Sequence, residues 1–298
     1  MSPGHLTQGD PPPQRVSPIT FPPQDPTLPK PSDSEPAQVR DAYRETSFAL
    51  RAEMDWLIEA FTLQRRIVEQ SYPSSFRNQR YASALLLWSR IYTTGLDLLR
   101  MTAWGAYSSG PPLIRASLEW LGAEQAVVGS EQADYEAWLR EAFEPDIELG
   151  ATDVGLGQYM AGQQIAQSET LSAIYRAASE LARPHFGASA LLVAPESNRK
   201  KIALNWGDRA FHFGWGQLLF GWQIVIQDRQ TRFAIGRDLF AVDADHRAAY
   251  HDLHRRAATL LDAPDRCRVE WLKRAGRQRM LVHQFRRQPG GAPKSLLL

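Results

Sequence analysis

Cysteine is nearly absent from this 298-residue chain, Cys267 being the only one. A single thiol can close no intrachain disulfide and build no cysteine-based zinc site, which suits a reducing compartment. Long hydrophobic runs are also missing. Residues 1–21 contain no continuous apolar stretch of the kind a signal peptide needs. The longest apolar run, 211–226, is broken by His212, Gln217 and Gln223, too short and too polar to span a bilayer. The expectation is a cytoplasmic protein with no membrane partner. The chain also lacks a Gly-x-x-x-x-Gly-Lys phosphate loop, a Gly-x-Gly-x-x-Gly turn after a strand and a Gly-x-Ser-x-Gly elbow.

Net charge is close to zero, a formal +1, but it is unevenly spread. Residues 131–169 hold nine acids against Arg140 alone, whereas residues 265–298 hold nine Arg and Lys against Asp265 and Glu270. Solvated faces of opposite sign account for this. A basic C-terminal region would also suit RNA, given a groove or stacking aromatics beside it.

Proline is plentiful in one place. Its density over residues 1–37 removes helix and ladder hydrogen bonds and predicts a disordered tail. Residues 38–288 read as a single helical domain, followed by a flexible tail over 289–298. Helices are expected over about 37–71, 76–107, 111–128, a fourth from Ser130, 171–183 capped by Ser168, 208–228, 243–261 and 264–275 with Gly276 as C-cap. The predicted class is all-α, a multi-helix up-and-down bundle, with room for a minor β-hairpin near 189–206.

The hairpin over 81–123 carries charge where the pattern demands a core. Arg115 and Glu119 lie one turn apart on a helix whose opposite face is Leu113, Ile114, Leu118 and Leu121. Arg90 and Asp97 sit on the preceding helix, where they could meet that pair. A buried polar layer, a surface ion pair and a functional site are the three readings. The candidate polar residues of the hairpin are Arg90, Asp97, Arg115 and Glu119, with no metal and no cofactor expected.

The long apolar helix, the break and Leu-Ile-Arg-Ala-Ser-Leu-Glu resemble a prokaryotic all-helical family with an Arg-Ser-Leu-Leu-Glu-like signature. Tyr175, Ser179 and His185 match that family's later Tyr, Ser and His cluster. The resemblance thus extends the candidate cluster to Arg90, Asp97, Arg115, Glu119, Tyr175, Ser179 and His185. It implies that a site, if one exists, lies where the hairpin meets the last three. The resemblance covers about residues 80–190 and implies a helical fold without an assigned activity, distantly similar to HEPN domains. HEPN nucleases pair Arg with His across four to six intervening residues, and Arg247/His254, with six between, and Arg277/His283, with five, have that spacing. Arginine is abundant enough to give about two such pairs by chance. His251 and His254, one turn apart, could share a metal only if a third ligand converged from elsewhere, so they are read as surface residues.

Two functions follow as expectations. One is a non-catalytic protein acting through a protein partner, a second copy or a small ligand, with a packed Arg115–Glu119 layer and no convergent cleft. The other is a HEPN-like RNA-binding or RNA-cleaving protein, a metal-independent ribonuclease in a toxin or defence setting.

Overall fold

The computed structural model describes residues 19–22, 24–75, 79–129, 142–146, 151–154, 161–194, 196–197, 200–237, 240–274 and 276–298. They are mostly helical, with a small three-stranded antiparallel sheet. In chain order the elements are α1 (Ala37–Ala49), α2 (Arg51–Ser75), α3 (Gln79–Ala103), a 3-10 turn (Tyr107–Ser109), α4 (Gly110–Gly129), β1 (Ala142–Asp146) and β2 (Ala151–Val154). Then come α5 (Ala161–Ala166), α6 (Glu169–Ala182), α7 (Phe186–Val193), α8 (Phe213–Ile235), α9 (Ala244–Leu261), β3 (Arg268–Arg274), β4 (Arg277–Phe285) and β5 (Lys294–Leu297).

Local capping fixes several boundaries. The Ser168 hydroxyl accepts the Leu171 N–H at 3.4 Å and opens α6, and Asp243 accepts the His246 N–H at 2.8 Å and opens α9. These satisfy amides that a helix start leaves orphaned. α8 begins later than residue 208: His212 is its N-cap, its Nδ1 accepting the Trp215 N–H at 3.3 Å. Burial, then the nearby Arg287 charge, lowers the His212 pKa to about 3, so the ring is neutral and free to accept.

α8 organises the interior. Phe220, Ile224 and Ala234 face one apolar cluster shared with α2, α3 and α9. Trp215, Leu218, Leu219, Trp222 and Ile226 face a second, shared with α4, α6 and the sheet. A helix buried on both sides has no polar face to give to solvent. Its glutamines therefore need partners inside. Gln64 Nε2 donates to Gln227 Oε1 at 3.0 Å and to Thr231 Oγ1 at 3.1 Å, while Gln64 Oε1 accepts the Trp88 indole N–H at 3.1 Å. Gln223 Nε2 donates to the Gly95 carbonyl at 2.5 Å. Only glycine allows that approach, since a Cβ at Gly95 would lie 2.8 Å from both Gln227 Nε2 and the Phe61 ring.

An ion pair closes the same interior. Arg266 donates to Glu53 Oε1 at 2.8 Å, to the Gln217 carbonyl at 2.6 Å and to the Leu260 carbonyl at 3.2 Å. Both charged side chains are almost fully buried, at 5% and 8% exposure. On α4, Glu124 is wholly buried, with Oε1 accepting from Gln230 Nε2 at 3.1 Å. Its Oε2 has no hydrogen-bond partner among the described residues. Loss of solvation pushes the Glu124 carboxyl up to about 8.

The sheet order is β3-β4-β5, with Trp271 opposite Met280 and Leu281 opposite Leu297. Residues 264–275 were expected to be helical; instead 268–274 form β3. Val269 and Trp271 alternate with exposed Arg268 and Glu270, a period of two that short apolar spacing disguises. Gly276, at φ +74°, turns the β3–β4 hairpin rather than capping a helix. The same left-handed backbone serves both purposes. The Phe213 and Gly214 amides donate to the Arg287 and Arg286 carbonyls at 2.9 Å, fastening the strand end to the start of α8.

Other expectations are corrected in the same way. Residues 186–193 form α7, so the minor hairpin expected near 189–206 is not a strand pair there. Residues 37–71 form two helices that break at Leu50, and α2 runs through Pro73 to Ser75. Within the stretch taken as a disordered tail, residues 1–18 lie outside the described residues. Beyond them the chain is docked: the Trp104 indole N–H donates to the Pro29 carbonyl at 2.5 Å, and Arg65 pairs with Asp25 at 2.5 Å. The stretch taken as a flexible 289–298 tail carries β5. The fourth expected helix, from Ser130, falls on residues outside the described ones up to 141, after which comes β1.

Candidate functional site

A cleft of about 710 Å³ opens where α6, the start of α7 and the three-stranded sheet meet α4. The helical spacing of α6 presents Tyr175 and Ser179 on one face, one turn apart, with Arg176 and Glu180 beside them. The loop before α7 adds Arg183 and His185. The sheet adds Trp271, Gln278, Arg279 and Met280, and α4 adds Arg115. Leu181, Ala188, Leu297 and Leu298 supply apolar wall.

Glu119 orders the α4 side. Its Oε1 accepts from Arg115 Nε and from the Tyr175 hydroxyl, each at 3.0 Å, and the Arg115 guanidinium lies 5.8 Å from the Tyr175 ring centre. The hydrogen bond and charge of Glu119 raise the Arg115 pKa above its ordinary value. The pair is not the packed layer expected of a non-catalytic protein, and the cleft beside it corrects the expectation of no convergent cleft. Arg115 and Glu119 side chains are 44% and 41% exposed, so water competes for both.

The other cations are positioned differently. Arg176 stacks at 4.1 Å over Trp271, whose indole N–H is held by the Ala173 carbonyl at 3.1 Å. Arg176 also donates to Gln278 Oε1. Stacking fixes the plane of a guanidinium while leaving its remaining N–H groups available. Arg279 Nε donates to the Leu298 carbonyl at 2.8 Å. Arg183 and His185 share Glu180, at 2.9 and 3.1 Å. Ser179 is the buried polar element: its Oγ has no hydrogen-bond partner among the described residues.

Four arginines and a histidine thus face one concavity, where Glu119 engages Arg115 and Glu180 engages Arg183 and His185. Such a set binds a carboxylate, sulfonate or phosphate through charge-assisted hydrogen bonds, with Ser179 as a short-range donor. Among the described residues, no base is hydrogen-bonded to Ser179. His185 turns to Glu180 instead.

Of the residues expected to cluster, Arg115, Glu119, Tyr175, Ser179 and His185 come together at this cleft. Arg90 and Asp97 do not. Arg90 stacks over Trp120 at 4.4 Å, and Asp97 sits 3.8 Å from Arg100, its neighbour one turn on. Arg90 crosses the hairpin to Trp120 on α4, and Asp97 pairs within α3, so neither takes Glu119 as its partner. Arg176, Glu180, Arg183, Trp271, Gln278 and Arg279 were missed. Reading 268–285 at a period of two would have offered the sheet residues.

The two Arg/His spacings resolve into separate contacts. His254 Nδ1 lies 2.8 Å from Asp228 and its ring stacks on Tyr250, while Arg247 donates to the Ile235 carbonyl at 3.3 Å. His283 Nε2 lies 2.7 Å from Glu270 across the β3–β4 ladder. Among the described residues, no group of three or more His, Cys, Asp or Glu is placed to hold a metal ion, and no helix is long and apolar enough to cross a membrane. No family model, curated protein or solved structure matches the chain.

Proposed function

We propose that the chain is a non-catalytic ligand-binding protein whose cleft takes a small organic anion. The scaffold is read as an up-and-down helical bundle around α8, and the setting as the cytoplasm of a prokaryote. One observation carries the reading: Arg115, Arg176, Arg183 and Arg279 line a single cleft together with an unpartnered, buried Ser179 hydroxyl. A buried hydroxyl without a partner costs roughly 1–3 kcal/mol, which a bound acceptor removes. The cleft's volume lies in the usual range for small-molecule sites. Arginines recognise the anionic head, and Leu181, Ala188 and Met280 cover an apolar body.

A direct test is calorimetric titration with 8-anilinonaphthalene-1-sulfonate, an anion with an aromatic body. N-phenyl-1-naphthylamine serves as its neutral counterpart. One sulfonate per chain is expected, with weaker binding of the neutral compound and roughly tenfold weaker binding after Arg176→Ala or Arg279→Ala. Equal affinity for both compounds, unaffected by either substitution, rules the reading out.

A second reading has one observation in its favour. Arg268, Lys273, Arg274, Arg277 and Arg279 are all exposed on the β3–β4 hairpin, with Glu270 the only acid among them. That concentration of charge suits RNA phosphates, as a HEPN-like RNA-binding or RNA-cleaving protein would need. Incubating the protein with total RNA, beside Arg247→Ala and Arg277→Ala variants, tests it. Cleavage lost in either variant supports it, and intact RNA throughout counts against it.

A further inference from the structure

Five large apolar side chains stand in solvent on and after α7. Phe186 and Val193 lie seven residues apart on that helix, and therefore on one face. Ile202 and Leu204 follow in the segment after α7, and Trp206 stands in the turn that ends it. Their exposures are 62%, 73% and 103%, the last meaning that the indole projects clear of its surroundings. The two groups are neighbours, because the Asn205 N–H donates to the Val193 carbonyl at 2.8 Å.

This segment is held by its backbone. The Ala203 N–H donates to Ser197 Oγ at 3.0 Å, and Asp208 receives the Ala210 N–H at 2.9 Å and the Gln38 amide at 2.8 Å. A fixed backbone with apolar side chains pointed outward is not a loop short of a core. Monomeric surfaces rarely present so many large apolar groups together without an interaction to serve.

The charges beside it identify the occupant. Lys200 and Lys201 precede Ile202 directly and are exposed. A basic edge next to projecting Ile, Leu and Trp is complementary to an anionic lipid surface. There apolar side chains enter the acyl boundary, indole sits at the headgroup level and lysines meet the lipid charge. A second copy fits less well. Two-fold contact through this patch would bring Lys200 and Lys201 against their own equivalents.

We propose that the face formed by Phe186, Val193, Ile202, Leu204 and Trp206, edged by Lys200 and Lys201, docks the protein reversibly on anionic membrane surfaces. This is surface attachment, which needs no crossing helix. It goes beyond the ligand cleft and does not depend on it.

The test is co-sedimentation of the full chain with vesicles of phosphatidylcholine alone or mixed with phosphatidylglycerol. Binding to the mixed vesicles is expected, with little to phosphatidylcholine alone and a decline as salt is added. The triple variant Ile202→Ser, Leu204→Ser, Trp206→Ser and the double variant Lys200→Glu, Lys201→Glu should each weaken binding roughly tenfold. Both should keep the wild-type urea midpoint and naphthalene-sulfonate affinity, because they alter exposed side chains away from the cleft. Absence of binding to mixed vesicles overturns the proposal, as does binding that neither variant weakens. A wild-type dimer dissolved by the triple variant, without vesicle binding, assigns the face to a second copy instead.

Discussion

Arg266–Glu53 and Arg115–Glu119 are ion pairs of nearly equal length, 2.8 and 3.0 Å, in very different surroundings. The first is sealed against α8, where Arg266 also satisfies two backbone carbonyls. The second stands half in water at the mouth of a cleft, where Glu119 shares one oxygen between Arg115 and Tyr175. Distance alone would rank them together. Burial separates them into a pair that ties the fold and a pair that is available to a ligand.

Removing one partner of the buried pair should have the largest effect. Arg266→Met leaves Glu53 uncompensated in the interior and should cost about 3–5 kcal/mol in urea unfolding. Changing both, Glu53→Leu with Arg266→Met, should recover most of that loss, because two apolar side chains leave no orphaned charge. If the double variant is as unstable as the single one, the carbonyl contacts of Arg266 matter more than its charge.

Glu124 sharpens the comparison through pH. Its carboxyl is raised from an ordinary 4.5 to about 8 in the folded chain, so the folded state holds a proton that the unfolded state has released. Its contribution to stability is therefore fully present below pH 4.5 and is lost as pH rises to about 8. The slope within that window is about 1.4 kcal/mol per pH unit. Glu124→Gln should flatten this part of the profile; an unchanged profile would show that another group titrates.

Gly95→Ala probes the same interior by volume. The added methyl meets Gln227 and Phe61 and should destabilise by about 1–3 kcal/mol, measured by thermal unfolding. The smallest effect belongs to the exposed pair. Glu119→Gln should change stability by only about 0.3–0.5 kcal/mol. A loss several times larger would place Arg115–Glu119 with the buried pair and erase the contrast.

How far the sequence revealed these two regions depended on the range of the interactions involved. α6 and α9 announce themselves through Ser168 and Asp243, because a cap is a local hydrogen bond. The meeting of Arg115 and Glu119 with Tyr175 and Ser179 was anticipated only through the family resemblance, since no local pattern joins two elements so far apart in the chain. Arg90 and Asp97 went astray because facing the right direction on a helix does not decide which neighbour is taken: Arg90 crosses to Trp120 rather than Glu119, and Asp97 stays with Arg100. The sheet was hidden for a related reason. Residues 268–274 have no long alternating run, and strand pairing with 277–285 and 294–297 supplies the order that local propensity lacks. The glutamines of α8 looked like interruptions in an apolar run. Only the neighbours packed around them show that they are its internal fastenings.

The most direct measurement is a crystal structure of the protein with 8-anilinonaphthalene-1-sulfonate bound. The account predicts the sulfonate among Arg115, Arg176 and Arg279, within hydrogen-bond distance of Ser179 Oγ, and the rings against Leu181 and Met280. A sulfonate bound elsewhere, with this cleft empty and Ser179 still unpartnered, would contradict it.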